Sequence, residues 1–363
     1  MRPLVIASAV MLLAACSAPN DNIEKKIADI VTADEFVDLS LRDKPASLIT
    51  APWDEVVISV PDMEDVSRLF VEIGDFETVK KTDDTWVLRA KGSDSGYVRL
   101  VKNTNPNAVP ARPLDATAWD SGCYWSVMMR AKDIESIIAD AKPLGWEPLT
   151  DIAFLEFGPS QLHIVVLRHQ VTGAQVQLYE RLTTPLPEGF TPFERLSRPF
   201  NIMQMTKDRD AAYDFFQQDL GMDTFYYGRP SLSDEEEINP LGIPQQLTTT
   251  VPYKAAIVTP FEGAEYGRFE MIEVDGDAQG LKGRDFSNRC RRQNWGIIEV
   301  HYKVDDLASI IQKMKVTGLA VTQHIPTVTF KKENGRYRAN DYTASWMRIK
   351  SPDGAAIIFS EKE

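Results

Sequence analysis

The chain has 363 residues, 43% hydrophobic and 9% aromatic, which suits packed domains and excludes a disordered chain. Its formal net charge of −13 argues against nucleic acid or an anionic membrane surface as the main partner. Beyond the N-terminal segments roughly 310 residues remain, enough for two domains.

Arg2 precedes an apolar run, Leu4 to Ala15, that closes on Leu13, Ala14, Ala15 and Cys16. The run is too short for a spanning helix and ends in small residues, the pattern of a secretory signal over 1–16. The Leu-Ala-Ala-Cys ending resembles a bacterial lipobox, which implies cleavage before Cys16 and its diacylation. The plainer alternative is an ordinary cleaved signal with a chance cysteine. By the same resemblance, Ser17 after the cysteine favours the periplasmic face of the outer membrane. Residues 17–52 read as a tether, loose around Asn20, Asp21, Asp43 and Pro45, with room for a short helix over 23–37.

One unit then recurs four times. Each begins with a strand opened by a polar residue, Glu55, Ser126, Asn201 or Glu299, seven positions before an aspartate, Asp62, Asp133, Asp208 or Asp306. An aspartate there is an N-cap, and Gly74, Gly145, Gly221 and Gly318 are placed to end the helices that follow. The first module continues through strand-like runs at 76–81, 85–90 and 97–102. The second has 146–150, a hairpin over 152–168, and 174–181 after the Thr172-Gly173 turn. A connector over 183–198 with Pro185, Pro187 and Pro192 is the expected domain boundary. The third module carries an acidic, proline-containing insert over 229–250 between its runs at 223–227, 255–259 and 268–274. The fourth shows the period change most clearly. Ile298, Val300, Tyr302 and Val304 alternate with Glu299, His301 and Lys303, and then Leu307, Ile310, Ile311 and Met314 mark one helix face. Runs at 320–323, around Asn334-Gly335 and Asp341, and at 355–360 complete it. The fold class is therefore α+β, built from four tandem β-α-β-β-β modules.

Such units, with openings such as Val57-Ile58-Ser59-Val60-Pro61-Asp62 and the closing Ser351-Pro352-Asp353-Gly354, resemble the vicinal oxygen chelate superfamily of glyoxalases, bleomycin-resistance proteins and extradiol dioxygenases. The resemblance runs from about Trp53 onward. It implies that modules pair into two cup-shaped mixed-sheet domains, expected here as 53–182 and 199–363, each around a small-molecule site. It identifies fold well and chemistry poorly.

In metal-dependent members the resemblance places ligands on the first and last strand of each module. The first expected cup then offers Glu55, Arg99, Ser126 and Gln177, where an arginine repels a divalent metal. The second offers Asn201, Glu270, Glu299 and Ile358. Two carboxylates and an amide could hold a hard cation weakly, so Glu270, Glu299 and Asn201 are weak metal candidates and no family metal set is complete. Glu270, Glu299 and His301 form the expected acid-base cluster, read against an acidic cup floor satisfied by Lys303 and water. Met128 and Arg130, and Met203 and Met205, share the inward faces and suit an apolar ligand or, equally, packing under a collapsed cup. His163, His169 and His324 read as ordinary structural histidines. Cys123 and Cys290 can pair in an oxidising compartment, but their similar places before the second and fourth modules favour separate buried thiols.

Three functions fit these residues. One is an exported, lipid-anchored protein binding a small hydrophobic or aromatic molecule without a metal. Another is a lyase, isomerase or dioxygenase-type enzyme using Glu270, Glu299 and His301. The third is an envelope-assembly surface. The expected partners are a small-molecule ligand and, through Cys16, the membrane.

Overall fold

The computed structural model describes residues 36–186, 188–317, 323–325 and 346–362. The signal segment with Cys16, the first half of the tether, Gly318, and the turns at Asn334-Gly335 and Asp341 lie outside the described residues.

All four aspartates cap helices as their spacing requires. The first module comprises β1 (Glu55–Val60), α1 (Met63–Arg68), β2 (Phe76–Lys81), β3 (Thr85–Ala90) and β4 (Tyr97–Lys102). Asp62 accepts from the backbone amides of Glu64 and Asp65 at the start of α1. The second comprises β5 (Tyr124–Ala131), α2 (Ile134–Ala141), β6 (Trp146–Pro148), β7 (Ala153–Phe157), β8 (Ser160–His169) and β9 (Gln175–Arg181), with Asp133 capping α2 through Ser136. The third comprises β10 (Asn201–Met205), α3 (Arg209–Asp214), β11 (Asp223–Tyr227), β12 (Tyr253–Thr259) and β13 (Arg268–Val274), with Asp208 as cap. The fourth comprises β14 (Gly296–Val304), α4 (Leu307–Thr317), β15 (Gln323–Ile325), β16 (Trp346–Lys350) and β17 (Ala356–Glu361), and the Asp306 carboxylate accepts from the Ser309 amide at 2.8 Å.

The stop glycines serve different ends. Gly221 has φ +71° and lies against the chain at Ser47, so a side chain there is both strained and obstructed. Gly74 is right-handed, and its need is space, because a Cβ would stand 2.8 Å from Leu196 and from the Phe70 carbonyl.

Pairing of the modules departs from the sequence expectation. One sheet runs β15-β16-β17-β14-β1-β4-β3-β2, uniting the first and fourth modules. The other runs β11-β12-β13-β10-β5-β9-β8-β6, with β7 paired to β8, uniting the second and third. Each junction joins two opening strands antiparallel, β1 with β14 and β5 with β10. The expected domains 53–182 and 199–363 therefore do not correspond to the sheets. The physical reason lies in the connector 183–198. It does not separate domains but runs back along β5, where Lys132 and Ser197 exchange amide bonds with Arg195 and Arg130, and delivers β10 to the edge of β5.

One apolar cluster joins the helices to one face of each sheet. It holds Val56, Ile58 and Val60 from β1, Val127 and Met129 from β5, Val300 and Tyr302 from β14, and Phe70, Ile137, Phe216 and Leu307 from the helical segments. Because strand residues alternate faces, burying these leaves Glu55, Ser126, Asn201, Glu299 and their neighbours on the opposite faces. The end of the expected tether belongs to the body as well. Ile49 is 2% exposed, the Leu48 amide donates to the Leu220 carbonyl, and Arg42 pairs with Asp214.

Cys123 and Cys290 are joined in a disulfide with Cα atoms 5.2 Å apart, not held as two separate thiols. The start of β5 and the segment before β14 meet, since the Ser121 amide donates to the Arg284 carbonyl and the Phe286 amide to the Ser121 carbonyl.

Candidate functional site

Two faces carry the chemistry, and each collects residues the sequence reading divided between cups. On the module 1–4 face, Glu55 lies opposite His301 across the β1–β14 junction and beside Arg99 toward β4. Arg99 grips the Glu55 carboxylate with Nε and Nη2 at 2.6 and 2.5 Å. Arg292, from the segment before β14, holds Glu299 in the same manner at 2.8 to 3.0 Å. His301 stands between the two carboxylates, Nε2 3.1 Å from Glu299 and Nδ1 3.7 Å from Glu55. Burial alone would raise both acids. At Glu299 the His301 hydrogen bond and the Arg292 charge outweigh it, and at Glu55 Arg99 does so, holding both below the usual carboxylate range. Ile358 is Cα partner to His301 on β17 and carries no ligand atom.

The module 2–3 face is different in kind. Met128, Met203, Met205, Trp125, Val166 and Ile272 form a second apolar cluster. The acidic insert packs against it, with Leu241 and Ile243 of the insert and Val251 just after it in the same cluster at 6%, 3% and 0% exposure. Trp119, Tyr179, Phe200 and Tyr253 pack at its margin and remain only half-buried.

A polar row crosses this apolar floor. Ser126 Oγ donates to Gln177 Oε1 at 3.1 Å, and Gln177 Nε2 donates to the Tyr179 hydroxyl at 3.0 Å. On the next strand pair Asn201 Nδ2 donates to Glu270 Oε2 at 2.8 Å, while the buried Asn201 Oδ1 has no hydrogen-bond partner among the described residues. Burial pushes Glu270 up to about 7, with the Asn201 bond opposing. Tyr179 is raised well above its ordinary value by burial and by the nearby Glu270. Yet Glu270 and Tyr179 both keep solvent-accessible area. Glu270 is Cα partner to Met203 and Tyr179 to Arg130, so both stand on the face that carries the apolar floor. Arg130, stacked on Phe200 at 4.5 Å and Phe190 at 5.0 Å, is lowered to about 10 by burial and by Arg268 and Arg181.

The overall arrangement also has counterparts among solved structures. No family model matches the sequence, and no curated protein matches it. Among solved structures, glyoxalase I from Zea mays aligns over 85% of this chain and 92% of its own, with TM-score 0.56 and 12% identity. Two variant structures of that maize enzyme align over the same 85% with TM-scores of 0.55 and 0.54. The chain shares its fold with glyoxalase I.

The resemblance read from the sequence raises the question of a metal, and the residues fit one poorly. On the module 1–4 face both carboxylates are already held by guanidinium groups, which repel a divalent ion and occupy its lone pairs. On the module 2–3 face the matching positions are Ser126, Gln177, Asn201 and Glu270, with a single carboxylate. Among the described residues no three His, Cys, Asp or Glu side chains are grouped to hold a metal. Hard-cation sites are built from several oxygen ligands including carboxylates.

The expected cluster of Glu270, Glu299 and His301 is not one site. Glu299 and His301 belong to the first sheet and Glu270 to the second, because the modules pair outermost with outermost. The weak metal set of Glu270, Glu299 and Asn201 is divided in the same way. Conversely, Met128 and Arg130 share a face with Met203 and Met205. His163 lies 3.8 Å from Glu180, His169 is buried against Asp65 and Trp146, and His324 belongs to β15, where it pairs with Met347. The sequence reading did not find Arg292, Arg348, Tyr179 or the roof residues. The alternation of Trp346, Arg348 and Lys350 was available as a period-2 signal. Arg292 sits in an irregular connector and gave none.

Proposed function

We propose that this protein binds a small, largely apolar or aromatic molecule in the roofed chamber of the second and third modules. The observation that carries this reading is the apolar floor of Met128, Met203 and Met205 beneath Leu241 and Ile243, interrupted by Asn201 and Glu270. Methionines and half-buried aromatics accept irregular apolar shapes, and a few polar groups fix orientation. The unpartnered Asn201 Oδ1 and the Tyr179 hydroxyl supply those groups. Export with a lipid anchor at Cys16 is part of the proposal. It rests on the N-terminal sequence and is supported by the Cys123–Cys290 disulfide, since such bonds persist in oxidising compartments.

A thermal-shift screen of small aromatic and aliphatic molecules tests the reading. Ligands that raise the melting temperature of the parent should lose that effect in Met203→Trp, which fills the chamber. A screen in which no compound stabilises the parent would count against it.

A second reading follows from Glu270 alone. A carboxyl raised to about 7 can exchange a proton with a bound molecule at neutral pH, as metal-free isomerisation or lyase chemistry requires. Glu270 would take a proton from a carbon next to a carbonyl and return it. Deuterium exchange into a bound ketone, lost in Glu270→Gln while binding persists, would establish this reading over simple binding.

A further inference from the structure

Strand register gathers three arginines at one end of the module 2–3 face. Met128 is Cα partner to Asn201, and Asn201 to Arg268, so Arg268 stands on the face of the methionine floor. Arg130 follows Met128 by two positions on β5, and its partner Tyr179 lies two positions before Arg181 on β9. Alternation therefore brings both of these arginines to the same face. The ends of β5 and β9 and the starts of β10 and β13 coincide there, because β10 runs antiparallel to β5. All three side chains are half-buried.

We propose that this end of the chamber receives the carboxylate of an aromatic acid, held by Arg130 and Arg268 with Arg181 adding its charge, while the ring lies over Met128 and Met203. The assignment rests on the ligand chamber proposed above and names the class of molecule it takes.

Three observations carry it. First, the hydrogen bonds made by these guanidinium groups go to neutral acceptors. Arg268 Nη2 donates to the Ala264 carbonyl at 2.8 Å, and Arg181 Nη1 to the Ser160 and Thr184 hydroxyls at 2.9 and 3.0 Å. Among the described residues none of the three is ion-paired, and Glu265, whose charge reaches Arg130, is itself held by Arg198 at 2.8 Å and by Thr191. Second, the cations feel one another. Burial is the first cause lowering Arg130, and the charges of Arg268 and Arg181 add to it. A carboxylate between them would relieve that repulsion. Third, rings cover the guanidinium faces. Arg130 stacks on Phe200 and Phe190, and Arg268 lies 4.3 Å from the Phe225 centroid. Stacking occupies the flat faces and leaves the in-plane N–H groups to make paired bonds to a carboxylate. Met128 and Met203 continue the same face as an apolar floor, which suits an acid with an aromatic body.

The test is calorimetric titration of the full chain at neutral pH with 1-naphthoate and with 1-naphthamide, a neutral molecule of nearly the same shape. The naphthoate should bind about tenfold more tightly than the amide, the difference expected of charge-assisted bonds. Arg268→Gln should bring that ratio close to one. Arg130→Gln should do the same, which keeps the test decisive should either variant fail to fold. Met203→Trp should weaken both compounds, and Lys350→Gln, on the other sheet, should leave the ratio as it is. Saturable amide binding with a ratio near one in the parent, or a parent ratio kept in both arginine variants, would overturn the carboxylate site and leave the chamber standing. Naphthoate binding untouched by Met203→Trp would place the anion elsewhere and overturn the site. Absence of binding by either compound would overturn the chamber together with it.

Discussion

Glu55 and His301 are Cα partners on adjacent antiparallel strands, although 246 positions of the numbering separate them. The first and last modules thus complete one sheet, and neither half of the chain can supply it alone. Residues 199–363 expressed by themselves should leave β14 without its β1 neighbour and fail to give a cooperative thermal transition. Co-expression with residues 36–182 should recover soluble, co-purifying protein. A cooperative transition for either half alone would contradict the pairing.

Glu270 makes stability depend on pH in a specified direction. Its folded value, about 7, lies above the ordinary 4.5, so the folded state holds its proton more firmly than the unfolded chain does. Stability contributed by this group is complete below about pH 4.5 and is lost as pH rises toward 7, by about 1–3 kcal/mol. Glu270→Gln should remove that dependence and become the more stable protein at pH 8. Chemical denaturation of both proteins at pH 5 and pH 8 reads the difference, and parallel pH profiles would refute it.

Arg292, whose side chain is 34% exposed, holds the buried Glu299, so removing the arginine alone should cost more than removing both charges. Arg292→Ala leaves Glu299, 1% exposed, with only part of its compensation and should destabilise by about 3 kcal/mol. Adding Glu299→Gln should recover at least about 1 kcal/mol of that loss. Additive losses in a double-mutant cycle would show that the pair is not coupled.

The disulfide closes a loop across a sequence separation of 167 residues. In the chain-entropy account such a closure stabilises by about 4–5 kcal/mol. Cys123→Ser/Cys290→Ser should lower the denaturation midpoint accordingly, and the oxidised parent should show no reactive thiol from either residue after unfolding without reductant. Two titratable thiols in protein isolated from an oxidising compartment would contradict the bond.

The roof is tested by Ile243→Ala, which removes buried apolar volume from the insert at a cost of about 2–4 kcal/mol. It should also speed entry of apolar probes into the chamber, measurable by stopped-flow fluorescence. A faster rate with little change in affinity is the expected pattern for a cover rather than a floor residue.

Local order was legible in the sequence because it is written in local chemistry. The four aspartate caps and the two hydrophobic periods located each opening strand and helix, and Met128, Met203 and Met205 lie together in the second apolar cluster. Partner choice was not legible. Each opening strand has the same pattern, so nothing in Glu55 or Ser126 distinguishes which opening strand will lie beside it. The proline-bearing connector 183–198 looked like a boundary because prolines punctuate, yet Arg195 and Ser197 near its end bond along β5. For the same reason Glu270, Glu299 and His301 read as a cluster when two sheets divide them. The roof was hidden because the acidic run at 234–237 drew attention from Leu241, Ile243 and Val251 just beyond it.

The most direct test of the account is a tryptophan-fluorescence titration of the full chain with 1-naphthol, a neutral aromatic with one hydroxyl, since Trp119 and Trp125 border the chamber. The account predicts saturable quenching in the parent, at least tenfold weaker in Met203→Trp and unchanged in Lys350→Gln. Absence of saturation, or equal affinity in the parent and Met203→Trp, would contradict it.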